Sequence, residues 1–249
     1  MNIIALPKDP DDCLHAVMLA RLDGIELWDS ISSLSLAAPV HIADFAIRET
    51  ACRYKDRFGD FHDSYRNAKK KNMMRRHLFW ASRHQKNERV SIINDVVIRS
   101  FSQGIDAVLQ KADAADARFL ELSNQSMREW HRMLGFIRLA PANANVLYGR
   151  IQTSFDITDA LISFFKRRHP GKNIAIENNG HIYFSGDAEK IDSVEIKARG
   201  RDSLAELFDR YYDTQYIPER KNMRLLTHFI PKRYWSWIDD GKKLASHLR

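Results

Sequence analysis

At Gly135 the spacing of apolar residues changes, and that change constrains the fold more than any other feature of the sequence. Upstream, Ile93, Val97 and Phe101, with Val96 and Ser100 beside them, recur at helical spacing from Val90 to Gly104, and Gly104 is placed as a C-terminal cap. The spacing predicts another helix from about Ala112 to Met133. Downstream, Phe136–Ala140, Val146–Ile151, Asn173–Glu177 and His181–Ser185 are short segments rich in β-branched and aromatic residues. Between the second and third of them, Asp156 is placed to cap a helix through Lys166 that ends before Pro170-Gly171. Asn178-Asn179-Gly180 reads as a tight hairpin, because Asn and Gly tolerate the positive φ it needs. The expectation is an α+β fold with two regions forming one compact unit. Residues 1–134 are a mainly helical region with a short N-terminal strand. Residues 135–249 hold a small antiparallel sheet, built on a ββαββ block, and an aromatic, basic C-terminal strap.

In the first region Asn2–Leu6 is apolar enough for a strand, and Pro7–Asp12 opens a helix carrying Leu14, Val17, Met18 and Arg21. Residues 25–40 are irregular, and Ala43–Tyr54 and Phe58–Asn67 read as helices. A basic run with Lys69, Lys70, Lys71, Arg75 and Arg76 then leads into His77–Arg83. Near the C-terminus Ser203–Tyr212, opened by Asp202 or Ser203, and Asn222–Phe229 read as helices. Tyr211, Tyr212, Ile217, Phe229, Ile230, Tyr234 and Trp235 are too many large side chains to leave in water, so residues 210–238 are expected to be integral to the sheet region.

The net charge of +7 is segregated along the chain. Residues 1–65 carry 6 Lys/Arg against 11 Asp/Glu, whereas residues 66–105 carry 10 against 2. A basic surface attracts polyanions by counterion release, which makes DNA or RNA the expected partner. The competing reading is a solvated helix face neutralised by the acidic N-terminal region. No stretch has the length and apolarity of a membrane span and Met1–Pro10 lacks the character of a signal peptide, so a cytoplasmic protein with no membrane partner is expected. Cys13 and Cys52 read as reduced, packed thiols. His77, His84 and Glu88 share a helix face without a second anchor, so no metal is expected. With 10 Gly, no Gly-x-Ser-x-Gly, no phosphate loop and no dinucleotide fingerprint, the common hydrolase, ATPase and dinucleotide chemistries are disfavoured, and no cofactor is assigned.

Glu129 and Arg132, three apart on a helix, make an ion pair in one reading. In the other, Glu129 is a general acid/base with His131, and Arg132 holds phosphate. Lys166-Arg167-Arg168-His169 suits a helix C-terminus whatever its function, and it is also a phosphate-binding candidate. Lys70, Arg75, Arg76, Arg220, Asn222, Lys232 and Arg233 are candidates for phosphate, and Tyr234 and Trp235 for stacking on unpaired bases. A strap that buries Trp235 is the alternative for the last group.

The segment Glu129-Trp130-His131-Arg132-Met133-Leu134-Gly135-Phe136-Ile137-Arg138 resembles a signature of an uncharacterised bacterial family known as probable DNA metabolism proteins. The resemblance continues through Leu147–Ile151, Asp156-Ile157, Phe164-Phe165 and Arg167-Arg168, and then through Tyr211-Tyr212, Ile217–Asn222 and Phe229–Trp235. Departures are Leu139 for an aromatic, Ser163 for a His, Asn173 for a Trp, and the absence of a Gly-Ser-Phe-Glu-Gly run near Pro7–Cys13. The resemblance implies a nucleic-acid-associated protein, a DNA-binding or accessory factor in base modification or repair. It also implies a radical-SAM protein as partner and kinship with domains fused to uracil-DNA glycosylases. The alternative is an enzyme acting on a nucleic-acid base or nucleotide, with Glu129 in acid/base work and an Arg cluster holding phosphate.

Overall fold

The computed structural model describes residues 2–29, 38–186, 210 and 223–238. The fold is mixed α+β with a mostly helical N-terminal region. Contacts group the chain into two compact units, 1–129 and 130–249.

Unit one opens with β1 (Asn2–Ala5), α1 (Pro10–Asp23) and β2 (Glu26–Trp28). Asp9 caps α1 by accepting from the Asp11 and Asp12 amides, and Pro10 occupies the first turn, where no amide hydrogen is needed. Gly24, at φ 65°, ends the helix. Because one helix returns the chain to the same end, β2 runs parallel to β1, with Ile3 opposite Glu26. A third strand, β3 (Ala38–Pro39), pairs parallel on the other side of β1 and gives the order β2-β1-β3. The irregular reading of 25–40 is corrected at Glu26–Trp28 and Ala38–Pro39, while residues 30–37 lie outside the described residues. Strands of three and two residues are too short to show alternation.

The rest of unit one is α2 (Ile47–Phe58), α3 (Ala68–Ala81), α4 (Arg89–Gln103), α5 (Ile105–Leu109) and the part of α6 (Ala114–Phe136) up to Glu129. Its core joins α1 through Val17 and Met18 to Met74 and Leu78 of α3 and to Ile93 and Val97 of α4. The helix expected over Phe58–Asn67 is absent. Gly59, at φ 89°, breaks the chain after α2, and only a 3-10 turn, Asp63–Arg66, follows. The apolar residues that suggested a helix serve an aromatic cluster instead, with the Phe61 ring 4.8 Å from Phe101 and 5.6 Å from Tyr54. Cys13 is buried, its thiol donating to the Pro7 carbonyl at 2.7 Å, whereas Cys52 is exposed and not packed as expected.

Unit two takes the remainder of α6, then β4 (Ala140–Pro141), β5 (Val146–Ile151), α7 (Thr158–Arg168), β6 (Asn173–Asn178), β7 (His181–Phe184), α8 (Met223–Phe229) and a 3-10 turn at Lys232–Tyr234. The sheet order is β4-β5-β6-β7. The outer pairs are antiparallel, but β5 and β6 are parallel, so the sheet is mixed where an antiparallel one was expected. The crossover through α7 dictates this. The strand expected over Phe136–Ala140 shrinks to Ala140–Pro141, since α6 continues through Phe136. The N-cap of α7 is Ile157, without a side-chain bond, and not Asp156. The hairpin forms as expected, with φ of 51° at Asn179 and 84° at Gly180. Ser203–Tyr212, apart from Arg210, lies outside the described residues.

Asn178 ties the sheet to α7: its buried side chain accepts from the Thr153 amide at 3.0 Å and donates to Thr158 at 3.3 Å. Gly149 on β5 lies where a Cβ would be 2.7 Å from Leu139 Cδ2 and 2.9 Å from Ile137. Gly149→Val should therefore destabilise unit two by about 1–3 kcal/mol through overpacking, measured as a lower denaturation midpoint. An unchanged midpoint would show that Leu139 and Ile137 give way. No described helix is long and apolar enough to cross a membrane.

Candidate functional site

The last turns of α6 and the 3-10 turn bring two arginines to one phenol in unit two. Tyr234 is buried to 1% exposure, its ring 5.2 Å from that of Phe136. Its hydroxyl oxygen accepts from Arg132 Nη1 at 3.0 Å and also from Arg233 Nη2. The Arg233 guanidinium lies 4.7 Å from the Tyr234 ring centroid and that of Arg132 lies 5.6 Å away. Ring quadrupole and phenolic lone pairs thus hold together two cations that repel each other. Both guanidinium groups bond to the Tyr234 hydroxyl, and a guanidinium fork matches the oxygens of a phosphate or carboxylate. Lys232 is exposed beside them.

Arg167 and Arg168 are exposed on the last turn of α7, where the helix dipole favours cations. That helix packs on the end of α6 through Phe164, whose ring is 5.7 Å from Trp130. Tyr234 and Trp235, expected as stacking platforms, are buried, and the Trp235 indole nitrogen donates to the Ile230 carbonyl at 2.8 Å. Their rings serve packing, so the cationic part of the C-terminal motif is what faces solvent. Arg220 and Asn222 lie outside the described residues.

In unit one Lys70 pairs with Asp106 and Arg75 with Asp11, each at 2.6 Å. Arg76 is exposed and reaches Met127 Sδ at 3.2 Å, while Lys69 and Lys71 are exposed. Half-exposed pairs of this kind are worth about 0–1 kcal/mol, so a phosphate can displace the carboxylate at little cost. Glu129 is buried to 3%, whereas His131 is exposed. Residues two apart on a helix face different ways, and the structure does not bring this acid/base pair together. His77 and His84 bond across to α6 instead of sharing a ligand face with Glu88, His77 to Ser123 at 3.0 Å and His84 to Gln125 at 2.8 Å. Burial lowers the pKa of both rings. Among the described residues no group of three or more His, Cys, Asp or Glu side chains is placed to hold a metal ion.

The carboxyl end of a parallel sheet, where a helix begins, is the usual anion site of α/β folds. Here Asp9 already occupies the first amides of α1, and Asp11 and Asp12 follow it. Three carboxylates at that terminus exclude a phosphate cradle. Tyr148 on β5 donates to Glu177 on β6, and burial together with that carboxylate pushes its pKa up to about 12, so the phenol stays protonated at neutral pH.

A family model described as a domain of unknown function, DUF4130, matches residues 87–240. No curated protein matches the chain.

Proposed function

The chain belongs to the DUF4130 family of domains of unknown function, and we propose that it is a nucleic-acid-associated protein of DNA metabolism. The observation that carries this reading is the convergence of Arg132 and Arg233 on Tyr234. Lys232 next to Arg233, and Arg167 and Arg168 on the last turn of α7, add exposed cations in unit two, and Lys70, Arg75 and Arg76 contribute basic residues in unit one. Binding is through the phosphate backbone, by cations that carry no base-reading geometry. The role is that of a DNA-binding or accessory factor in base modification or repair, with the radical-SAM partner that the sequence resemblance implies supplying the chemistry.

The test is fluorescence anisotropy with labelled single- and double-stranded oligonucleotides. Non-specific affinity of this type lies at roughly 1–100 μM at physiological salt, and log K falls linearly with log salt. Arg233→Glu and Lys232→Glu should each reduce the magnitude of the salt slope by about one, uniformly across sequences. Charge reversal at Lys70 and Arg75 should act likewise. Absence of binding at about 50 mM salt, a low-salt condition where such contacts are strongest, overturns the reading.

A further inference from the structure

The basic helix of unit one, α3, has its cations matched from outside. Its first turn carries Lys69, Lys70 and Lys71 and no acidic residue, although the helix dipole disfavours cations there. Lys71 and Arg75 are four apart, so they share a face and repel each other. Two carboxylates from other elements offset this. Asp106 of α5 accepts from Lys70 Nζ at 2.6 Å, and Asp11 of α1 pairs with Arg75 Nη2 at 2.6 Å. The four side chains are between 38% and 43% exposed, so a solute anion can reach both pairs. Each carboxylate also sits in the first turn of its own helix, where free amide groups support a negative charge. Neither is stranded when its cation leaves. Lys69, Lys71 and Arg76 are exposed on the same helix as the two paired cations.

We propose that Asp11 and Asp106 are internal competitors of nucleic-acid phosphate, which occupy Arg75 and Lys70 in the free protein and hold down the affinity of α3 for a polyanion. The proposal rests on the reading of the chain as nucleic-acid-associated. Phosphate and carboxylate offer a guanidinium or an ammonium the same kind of oxygen, so each exchange swaps one charge-assisted hydrogen bond for another. What differs is the charge left behind. A released Asp is an anion beside a phosphate backbone, and its repulsion counts against the complex. Neutralising either carboxylate therefore frees a half-exposed cation and removes that repulsion, with the sequence of α3 unchanged. The cations that Asp11 and Asp106 do not hold, Lys69, Lys71 and Arg76, make the first contacts, and the paired ones follow at a cost.

The test is a pair of double-mutant cycles on the full chain, read by anisotropy of a labelled oligonucleotide at about 50 mM salt, where phosphate contacts are strong. An exposed ion pair is worth at most about 1 kcal/mol, so Asp11→Asn and Asp106→Asn should each tighten binding by about two- to fivefold. The gain should depend on the matching cation. Asp106→Asn should have no effect in a Lys70→Gln background, and Asp11→Asn none in an Arg75→Gln background. The two pairs lie on different elements, so one cycle remains if a variant of the other fails to fold. Neutral variants that bind no tighter than the unaltered chain overturn the proposal and leave the nucleic-acid reading intact. A gain that persists undiminished without Lys70 or Arg75 also overturns it, because it marks a general change in charge and not competition for one cation. Absence of binding by the unaltered chain and every variant overturns both readings together.

Discussion

Removal of residues 210–249 should leave unit two unfolded. Tyr234 at 1% exposure, Trp235 at 7% and Ile238 at 6% belong to its core, and Tyr234 also anchors Arg132 on α6. Each fully buried side chain of this size stabilises by about 1.5–3 kcal/mol, and a domain's whole margin is about 5–15 kcal/mol. Losing three such side chains removes about 4.5–9 kcal/mol, an amount comparable with that margin. The single change Trp235→Ala should cost about 3–5 kcal/mol, because it leaves a cavity as well as losing the transfer term. Urea titrations of the full chain, of Trp235→Ala and of residues 1–209 would measure the series. A fragment 1–209 whose sheet unit melts cooperatively at the full chain's midpoint would show that the C-terminal segment is dispensable to folding.

Acidification should destabilise unit one in a window set by histidines, above the range of carboxylate titration. Burial lowers the pKa of His15, His77 and His84 below the ordinary 6.5, and each is hydrogen-bonded across helices, His15 to Thr50 at 3.0 Å. In the unfolded chain all three titrate near 6.5. Below that pH the unfolded chain takes up protons that the native state refuses. Stability is therefore fully present above about pH 6.5, falls as the pH drops from there to the depressed native values, and levels off below them. Each site contributes up to about 1.4 kcal/mol per pH unit while its native ring stays neutral. Glu88 and Asp113, held low by Arg118 and by the Ala115 amide respectively, add a loss of the same sign only in the acid range. Asp116, whose pKa burial raises, works against them there. Denaturant midpoints at pH 7.5, 6.5, 5.5 and 4.5, pH values spanning the ordinary histidine range, should decline from the second value onward. His77→Gln and His84→Gln should each flatten the decline. A profile flat down to pH 5, below the ordinary histidine range, would mean that these rings titrate normally.

Periodicity revealed the helices with one polar face and missed elements too short or too uniformly buried to show a pattern. α4 was legible because Ile93, Val97 and Phe101 form a stripe, and its end was legible because Gly104 takes a positive φ of 96°. α1 is buried on nearly every side from Cys13 to Ala20, so capping by Asp9 marks it better than any stripe. Phe58–Asn67 misled because Tyr65 and Phe61 recur at helical spacing, yet they converge on Phe101 from a loop. The parallel β5–β6 pair was implicit in the helix between the two strands, but hairpin chemistry at Asn179-Gly180 drew the whole sheet toward antiparallel pairing. At the candidate site, charge and aromatics identified the right segments without saying which face solvent. Only the fold shows that Tyr234 turns inward while Arg233 stays exposed and grips its hydroxyl.

The unit of descent and the unit of folding do not coincide in this chain. The family match begins at residue 87, inside unit one, and α6 carries the backbone unbroken from one contact unit into the other across Glu129. A chain started at residue 87 would keep α4 and α6 but lose Val17, Met74 and Leu78, against which α4 is packed, together with the histidines that bond to Ser123 and Gln125. The matched segment of this chain thus buries the apolar face of α4 against residues that precede it. In this chain the matched segment therefore cannot be excised at its own boundary without exposing the apolar face of α4.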